Sequence, residues 1–288
     1  MNLLATLDEL KRSIEMDLTV TTYDVGLTIV LQQVSRLVEQ AAGRSFFPEI
    51  ATRYQDGDGT TTLWLTEPWL EITTVSLSAD LGATYTALAG TDWWASDGLV
   101  WDRPPYQLLA LNPNGDYASF YKGQRSVKIV GILGWHPDYA NAWEASGDSI
   151  QDTGGITAVA TTVTVADADG ADARGLTPRF SVGNLAKAES EYMAVTGIAT
   201  NVLTVRRGWR GSTAATHTKS TALAIWRPEL TATEAAKIQA ARLFKRGQQA
   251  FADAGASVEL GRLLYVKRLD PDVEAILMGA GLRRLTVG

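Results

Sequence analysis

A chain of 288 residues, 45% hydrophobic and 20% charged, has the composition expected of a folded soluble protein with room for two or three domains. It holds no cysteine and two histidines, which excludes disulfides, thiolate catalysis and zinc–thiolate sites and leaves little for metal chemistry. The net charge of −6 is uneven: residues 1–145 carry 9 Lys/Arg against 18 Asp/Glu, so the first half lacks the cationic density that a general nucleic-acid surface requires.

No apolar run approaches the roughly 20 residues that cross a bilayer. The opening MNLLATLDELKRS sets acids and bases where an export signal needs an uninterrupted apolar stretch, so neither a span nor a leader is expected. Thr6 and Glu9 have capping-box spacing and predict a helix of about ten residues. Leu27, Val30, Leu31, Val34, Val38 and Ala41 recur at helical steps, with Gly43 placed to end a second helix in the left-handed conformation. From about residue 50 the period changes. Thr60–Leu65, Ile72–Ser78 and Ser126–Leu133 read as strands separated by turns at 56–59, 112–115 and 122–123, which together predict a compact antiparallel β unit. Trp64, Trp69, Trp93, Trp94, Trp101 and Trp135 fall in it or at its edge. Six rings could form a sugar-stacking platform, but aromatics at strand spacing are expected mainly in the core.

Composition shifts again near residue 146, where a segment rich in Thr, Ala, Val and Gly begins and looks inserted. Thr157–Val165 and Thr196–Val205 resemble each other and predict two hairpins of similar design. Pro228 closes this segment. Thr231 and Glu234 suggest a second capping box, followed by a stripe of Ala236, Ala240, Leu243, Phe244 and Phe251 on a helix running to about Ala254, with Gly255 as its stop. Asp270, Pro271, Asp272 and Glu274 then announce a further helix start, and Arg283 and Arg284 follow its end.

Residues 206–217, RRGWRGSTAATH, invite a chemical reading. A phosphate-binding loop needs four residues between its glycines and then a lysine; Gly208 and Gly211 have two residues between them and no lysine follows. A GxxG clamp on RNA joins two helices, whereas this one follows a strand pattern. Ser212 with His217 lacks a third residue to orient the base and a strand-to-helix elbow. His136 and His217 have no metal-ligand spacing, and a surface or capping role is expected for both. Asp167, Asp169 and Asp172 around Gly170 hint at calcium, but Pro178 stands where the twelfth-position glutamate belongs. Glu189 and Glu191 are read as two carboxylates on one face of a strand, which alone does not make a glycosidase pair. The sequence therefore gives no catalytic, cofactor-binding or metal site.

The order of features resembles the head-to-tail adaptor (head completion or connector) proteins of tailed bacteriophages. The likeness rests on TLDELKRSIEM, the helix ending at Val38–Phe46, the section from Leu63 to Val75, Arg125–Trp135 and the late helix Ala235–Phe244, and covers roughly residues 1–140 and 228–255. About 80 residues between Trp135 and the late helix depart from it and are similar to small β modules of phage structural proteins. The resemblance implies an α+β fold: a small α-helical bundle of the N-terminal helices plus the late helix, with an embedded antiparallel β unit and a second inserted β domain. The boundaries expected are 1–48, 49–145, 146–227 and 228–288. It implies a non-enzymatic virion protein, assembled in the host cytoplasm without cofactors. A homo-oligomeric ring, usually of twelve copies, would sit under the portal, extend the DNA channel without sequence-specific binding and meet the next neck or tail protein. Portal contacts are expected within Leu260–Arg284, with Leu263, Leu264, Tyr265, Arg283 and Arg284 as candidates. The alternative is a tail or fibre component that binds host-surface carbohydrate through its Trp-rich β units.

Overall fold

The computed structural model describes residues 2–248, 269–279 and 281. The chain opens with α1 (Leu7–Ser13), whose capping box forms as expected: the Thr6 hydroxyl accepts from Glu9 N–H and the Glu9 carboxylate accepts from Thr6 N–H. α2 (Asp24–Ala42) ends at Gly43 with φ 66°, the left-handed stop that glycine permits without a Cβ clash. It buries Leu27, Leu31, Val34, Ser35, Val38 and Ala42, one face at three- and four-residue steps.

A six-stranded antiparallel sheet follows. Its strands are β1 (Glu49–Gly57), β2 (Thr62–Leu77), β3 (Thr86–Ala87), β4 (Trp93–Ser96), β5 (Tyr106–Leu111) and β6 (Gly123–Leu133), in the order β1-β6-β2-β5-β4 with β3 on β2. The segments 60–65 and 72–78, expected as separate strands, belong to one 16-residue strand, β2. Its first half pairs with β5 and its second with β6, with register shifts between Trp64 and Trp69 and beyond, so a single bent strand holds the sheet together. Val75, Leu77, Leu109, Phe120, Val127 and Ile129 form this sheet's own core.

The second sheet begins at Trp143, three residues before the compositional break. It comprises β7 (Trp143–Ser149), β8 (Thr162–Thr164), β9 (Leu185–Ala188), β10 (Glu191–Ala199), β11 (Val202–Arg206) and β12 (Ala222–Trp226), in the order β7-β12-β9-β10-β11-β8. The hairpin expected at Thr196–Val205 forms as β10–β11, but the one at Thr157–Val165 does not. There only β8 is a strand, and it pairs with β11; the carbonyls of Thr157 and Ala160 instead accept from Arg207, which withholds them from a ladder.

α3 (Leu230–Gln248) and α4 (Pro271–Gly279) complete the described chain. The cap of α3 lies two residues before the expected one: Glu229 accepts from Ala232 N–H and from the Thr231 hydroxyl, so Thr231 donates rather than caps. Ala236 and Ala240 are fully buried as the stripe requires, and Leu243 and Phe244 pack beside them, while Phe251, Ala254 and Gly255 lie outside the described residues. Asp270 caps α4 by accepting from Asp272 N–H.

The expected α-helical bundle with β insertions is therefore corrected. Among the described residues the fold is mostly β, two six-stranded antiparallel sheets, with four α-helices of which two are only 7 and 9 residues long. The physical reason is burial: each β section closes over an apolar core of its own. The helices, by contrast, complete theirs only by adding Leu70, Leu185, Tyr192 and Trp226 from the sheets. Within that shared core α2 packs on α3, α3 on α4, and α1 on both α2 and α3. No helix among the described residues is long and apolar enough to cross a membrane.

Candidate functional site

The loop between β11 and β12 gathers most of the residues that the sequence offers for chemistry. Glu191, the first residue of β10, is wholly buried. The β10–β11 register sets Ala194 opposite Arg206, so the start of β10 meets the residues that follow β11. The Glu191 carboxylate accepts from Arg207 Nε at 2.6 Å and Nη2 at 2.7 Å, a two-pronged guanidinium contact. It also accepts from Gly208 N–H at 3.0 Å and Ala215 N–H at 2.9 Å, and faces His217 Nε2 at 2.9 Å. Burial opposes its charge, but the Arg207 contact, the two backbone donors and His217 outweigh it and hold the carboxyl at about 2. Arg207 spends its remaining donors on the carbonyls of Thr157, Ala160 and Ala215.

His217 is buried, so of the surface or capping role expected for it the surface alternative is corrected. Its Nδ1 lies 2.9 Å from Glu189 and its Nε2 the same distance from Glu191, so each ring nitrogen faces a carboxylate. Glu189 is not on the strand face assigned to it. It occupies the β9–β10 turn with φ 52° and reaches His217 from outside, itself mostly exposed. The two carboxylates thus flank one imidazole with no open space between them, the opposite of a glycosidase pair spaced for substrate. Ser212 has no contact with His217: its hydroxyl accepts from Tyr192 N–H and donates to Trp209 O.

The rest of the stretch is a clasp. Gly208, Arg210 and Gly211 all have positive φ, which turns the chain toward β1, where Ile50 N–H donates to Arg210 O. The Arg210 guanidinium donates to Pro48 O, Phe47 O and Ser45 Oγ, and its burial among those groups lowers its pKa. Trp209 Nε1 donates to Asn2, and the Arg206 guanidinium lies 4.2 Å from the Trp209 ring centre. Of the groups that would have cradled a phosphate, Arg207 and the Gly208 and Ala215 N–H groups are spent on Glu191, while Arg210 joins the second sheet to the first and to the segment after α2. Gly211→Ala tests this. At φ 77° a Cβ would collide with the Ile50 carbonyl, and the backbone strain alone costs about 1–3 kcal/mol. A fall of that size in urea-unfolding stability is expected, and a neutral substitution would mean that the clasp carries no strain.

The other candidates are also bound internally. Asp167 accepts from Gly170 N–H, and Asp172 accepts from Arg174 and Leu176 N–H and pairs with Arg227, so the calcium-like run is a hydrogen-bonded turn. His136 is buried; its Nδ1 accepts from Asp138 N–H and its ring packs against Trp226, and burial lowers its pKa. Among the described residues no group of three or more His, Asp or Glu is placed to hold a metal.

No family model, curated protein or solved structure matches this chain. The portal-contact candidates Leu263, Leu264, Tyr265, Arg283 and Arg284 lie outside the described residues. Several large apolar side chains are exposed. Of the six tryptophans of the first β section, Trp69 is core and Trp93 and Trp135 are half-buried, whereas Trp64, Trp94 and Trp101 are exposed. Alternation along β4 turns Trp93 inward and Trp94 outward, a split that the sequence pattern contained but that the expectation of core packing passed over. Val25, Ile29 and Tyr23 are likewise exposed at the start of α2.

Proposed function

We propose that this chain is a structural head-to-tail adaptor of a tailed phage, forming a ring beneath the portal that extends the DNA channel and joins the capsid to the next neck or tail protein. The observation that carries the reading is the meeting of helices from before and after the β sections. α1 and α2, from before the β sections, share one buried core with α3 and α4, from after them. The two sheets are thereby carried between helices that close on each other, the chain order on which the adaptor resemblance rests. Exposed apolar side chains at the start of α2, among them Val25 at 75% and Ile29 at 47%, are suited to burial against neighbouring copies. A head-to-tail interface that closes by rotation produces a ring. Arg207, Arg210, Ser212 and His217 of the 206–217 stretch are held by internal bonds, which favours a scaffold over a catalyst.

The rival reading is a tail or fibre component that binds host-surface carbohydrate through Trp64, Trp94 and Trp101. Electron microscopy of the purified chain with and without portal separates the two. The adaptor is expected to give rings that stack on portal; elongated trimers, or a monomer that persists at high concentration with portal present, would overturn it.

A further inference from the structure

The loop that follows β4 is a rigid apolar tip. Asp97 accepts from the N–H groups of Leu99 (2.8 Å) and Val100 (2.7 Å) through one oxygen, and from Arg103 Nε through the other. Ser96 Oγ accepts from Gly98 N–H and donates to Val100 O. Gly98, at φ 97°, lies against the Trp64 ring, where a Cβ would stand 3.3 Å from the indole. Trp101 bridges back to Ser96 and packs edge-on against Trp94. This frame holds Leu99 in water at 90% exposure, with Trp64 at 64%, Trp101 at 51% and Val100 at 45% beside it. A tip ordered before binding loses little entropy on docking. An aliphatic apex fits a protein socket, since sugar binding uses ring faces, which Leu99 stands proud of.

Charge indicates the socket. The first sheet and its loops, residues 49–133, carry ten Asp/Glu against five Lys/Arg, so the tip belongs to a net acidic section. On α3, a groove of about 600 Å³ has Ile238 and Ala241 in its lining and Lys237, Arg242, Lys245 and Arg246 around them, with Glu234. By charge count the lining is net positive, four cations against the single carboxylate of Glu234, with Lys237 paired to Glu234 and Arg242 to Asp270. An apolar lining with a cationic rim complements an apolar tip on an acidic sheet.

We propose that the 97–101 tip of one copy docks in the α3 groove of a second copy. The interface is heterologous, so each copy offers one tip and one groove and the contact propagates until it closes. This inference rests on the ring reading and supplies its subunit contact.

The full-length chain, which contains no cysteine, permits a background-free test. Leu99→Cys combined with Ala241→Cys is expected to give a ladder of disulfide-linked oligomers on oxidation, and each single variant none. Leu99→Asp, at a site exposed enough to leave folding intact, and Lys237→Glu with Lys245→Glu are each expected to weaken self-association at least tenfold in sedimentation velocity. Mixing the two variants restores a single 1:1 contact, because one supplies the intact tip and the other the intact groove. Rings that persist in both variants would reject this contact while leaving the adaptor reading in place. A wild-type chain that stays monomeric with portal present removes both. Rings unaffected by Leu99→Asp, together with glycan binding lost on Trp64→Ala or Trp101→Ala, would assign the tip to carbohydrate and also overturn the proposal.

Discussion

Glutamine in place of Glu191 is expected to lower unfolding stability by about 3–5 kcal/mol at pH 7, the range for removing one partner of a buried ion pair. The amide keeps the shape but withdraws the negative charge from Arg207, whose guanidinium is only 6% exposed, and turns an N–H₂ toward one of the donors that the carboxylate now accepts. The pH dependence gives a second signature. The folded carboxyl sits at about 2 against an ordinary value of 4.5. A depressed acid contributes stability that is complete above the unfolded value and is lost as pH falls through the folded one. A depression of this size corresponds to about 3 kcal/mol. The gap between wild type and Glu191→Gln should thus be constant above about pH 4.5 and close as the pH falls toward 2. Urea titrations followed by circular dichroism at several pH values measure it; a gap under about 1 kcal/mol at pH 7 would mean that Arg207 finds another partner.

The cluster shows which parts of the fold were legible in the sequence. Local signals held where one short-range interaction decides the outcome: Thr6 with Glu9, Gly43, and Asp270 before Pro271 each cap a helix as their spacing requires. The α2 stripe is likewise fixed by the helical period. The sequence misled where a partner many residues away decides. Arg207 and His217 lie 16 and 26 residues from Glu191; the β10–β11 pairing brings Arg207 to it, and His217 is held by a separate bridge to Ile156. The Asn201 side chain, which accepts from Ala168 N–H and donates to Ala166 O, could have marked that turn as a structural hub, but its partners lie more than thirty residues back.

Fold class failed for a related reason. The resemblance makes the β sections additions to a helical core, and the helical stripes agree with it. Period reports which face is buried, not against what. Ala232, Ala235, Ala236 and Ala240 of α3 are small side chains that make a flat helix face, and such a face accepts a sheet as readily as a second helix. Leu185, Tyr192 and Trp226, on three different strands, fill what helices alone would leave empty, and no local pattern announces that alliance.

Trp226 carries that alliance further than any other sheet residue, and Trp226→Ala is expected to remove about 3–5 kcal/mol, the usual cost of emptying a buried aromatic site. The side chain is 1% exposed and touches three other rings, with centroids of His136 at 5.5 Å, Tyr139 at 6.2 Å and Trp143 at 5.2 Å. Its Nε1–H donates to Phe46 O at 2.9 Å, just beyond the end of α2, so truncation also leaves that buried carbonyl without its donor. β12, which bears Trp226, is paired on both sides, with β7 and β9, whereas the helices reach the second sheet through this core. Hydrogen exchange should therefore separate two effects: amides of α2 and α3 lose protection in Trp226→Ala, while those paired between β1 and β6 keep theirs. Trp226→Phe, which fills most of the volume but cannot donate, is expected to fall between wild type and alanine. Equal loss of protection in both sheets would mean that the molecule unfolds as one unit around Trp226. A loss under about 1 kcal/mol would show instead that Leu185 and Tyr192 hold the helices without it.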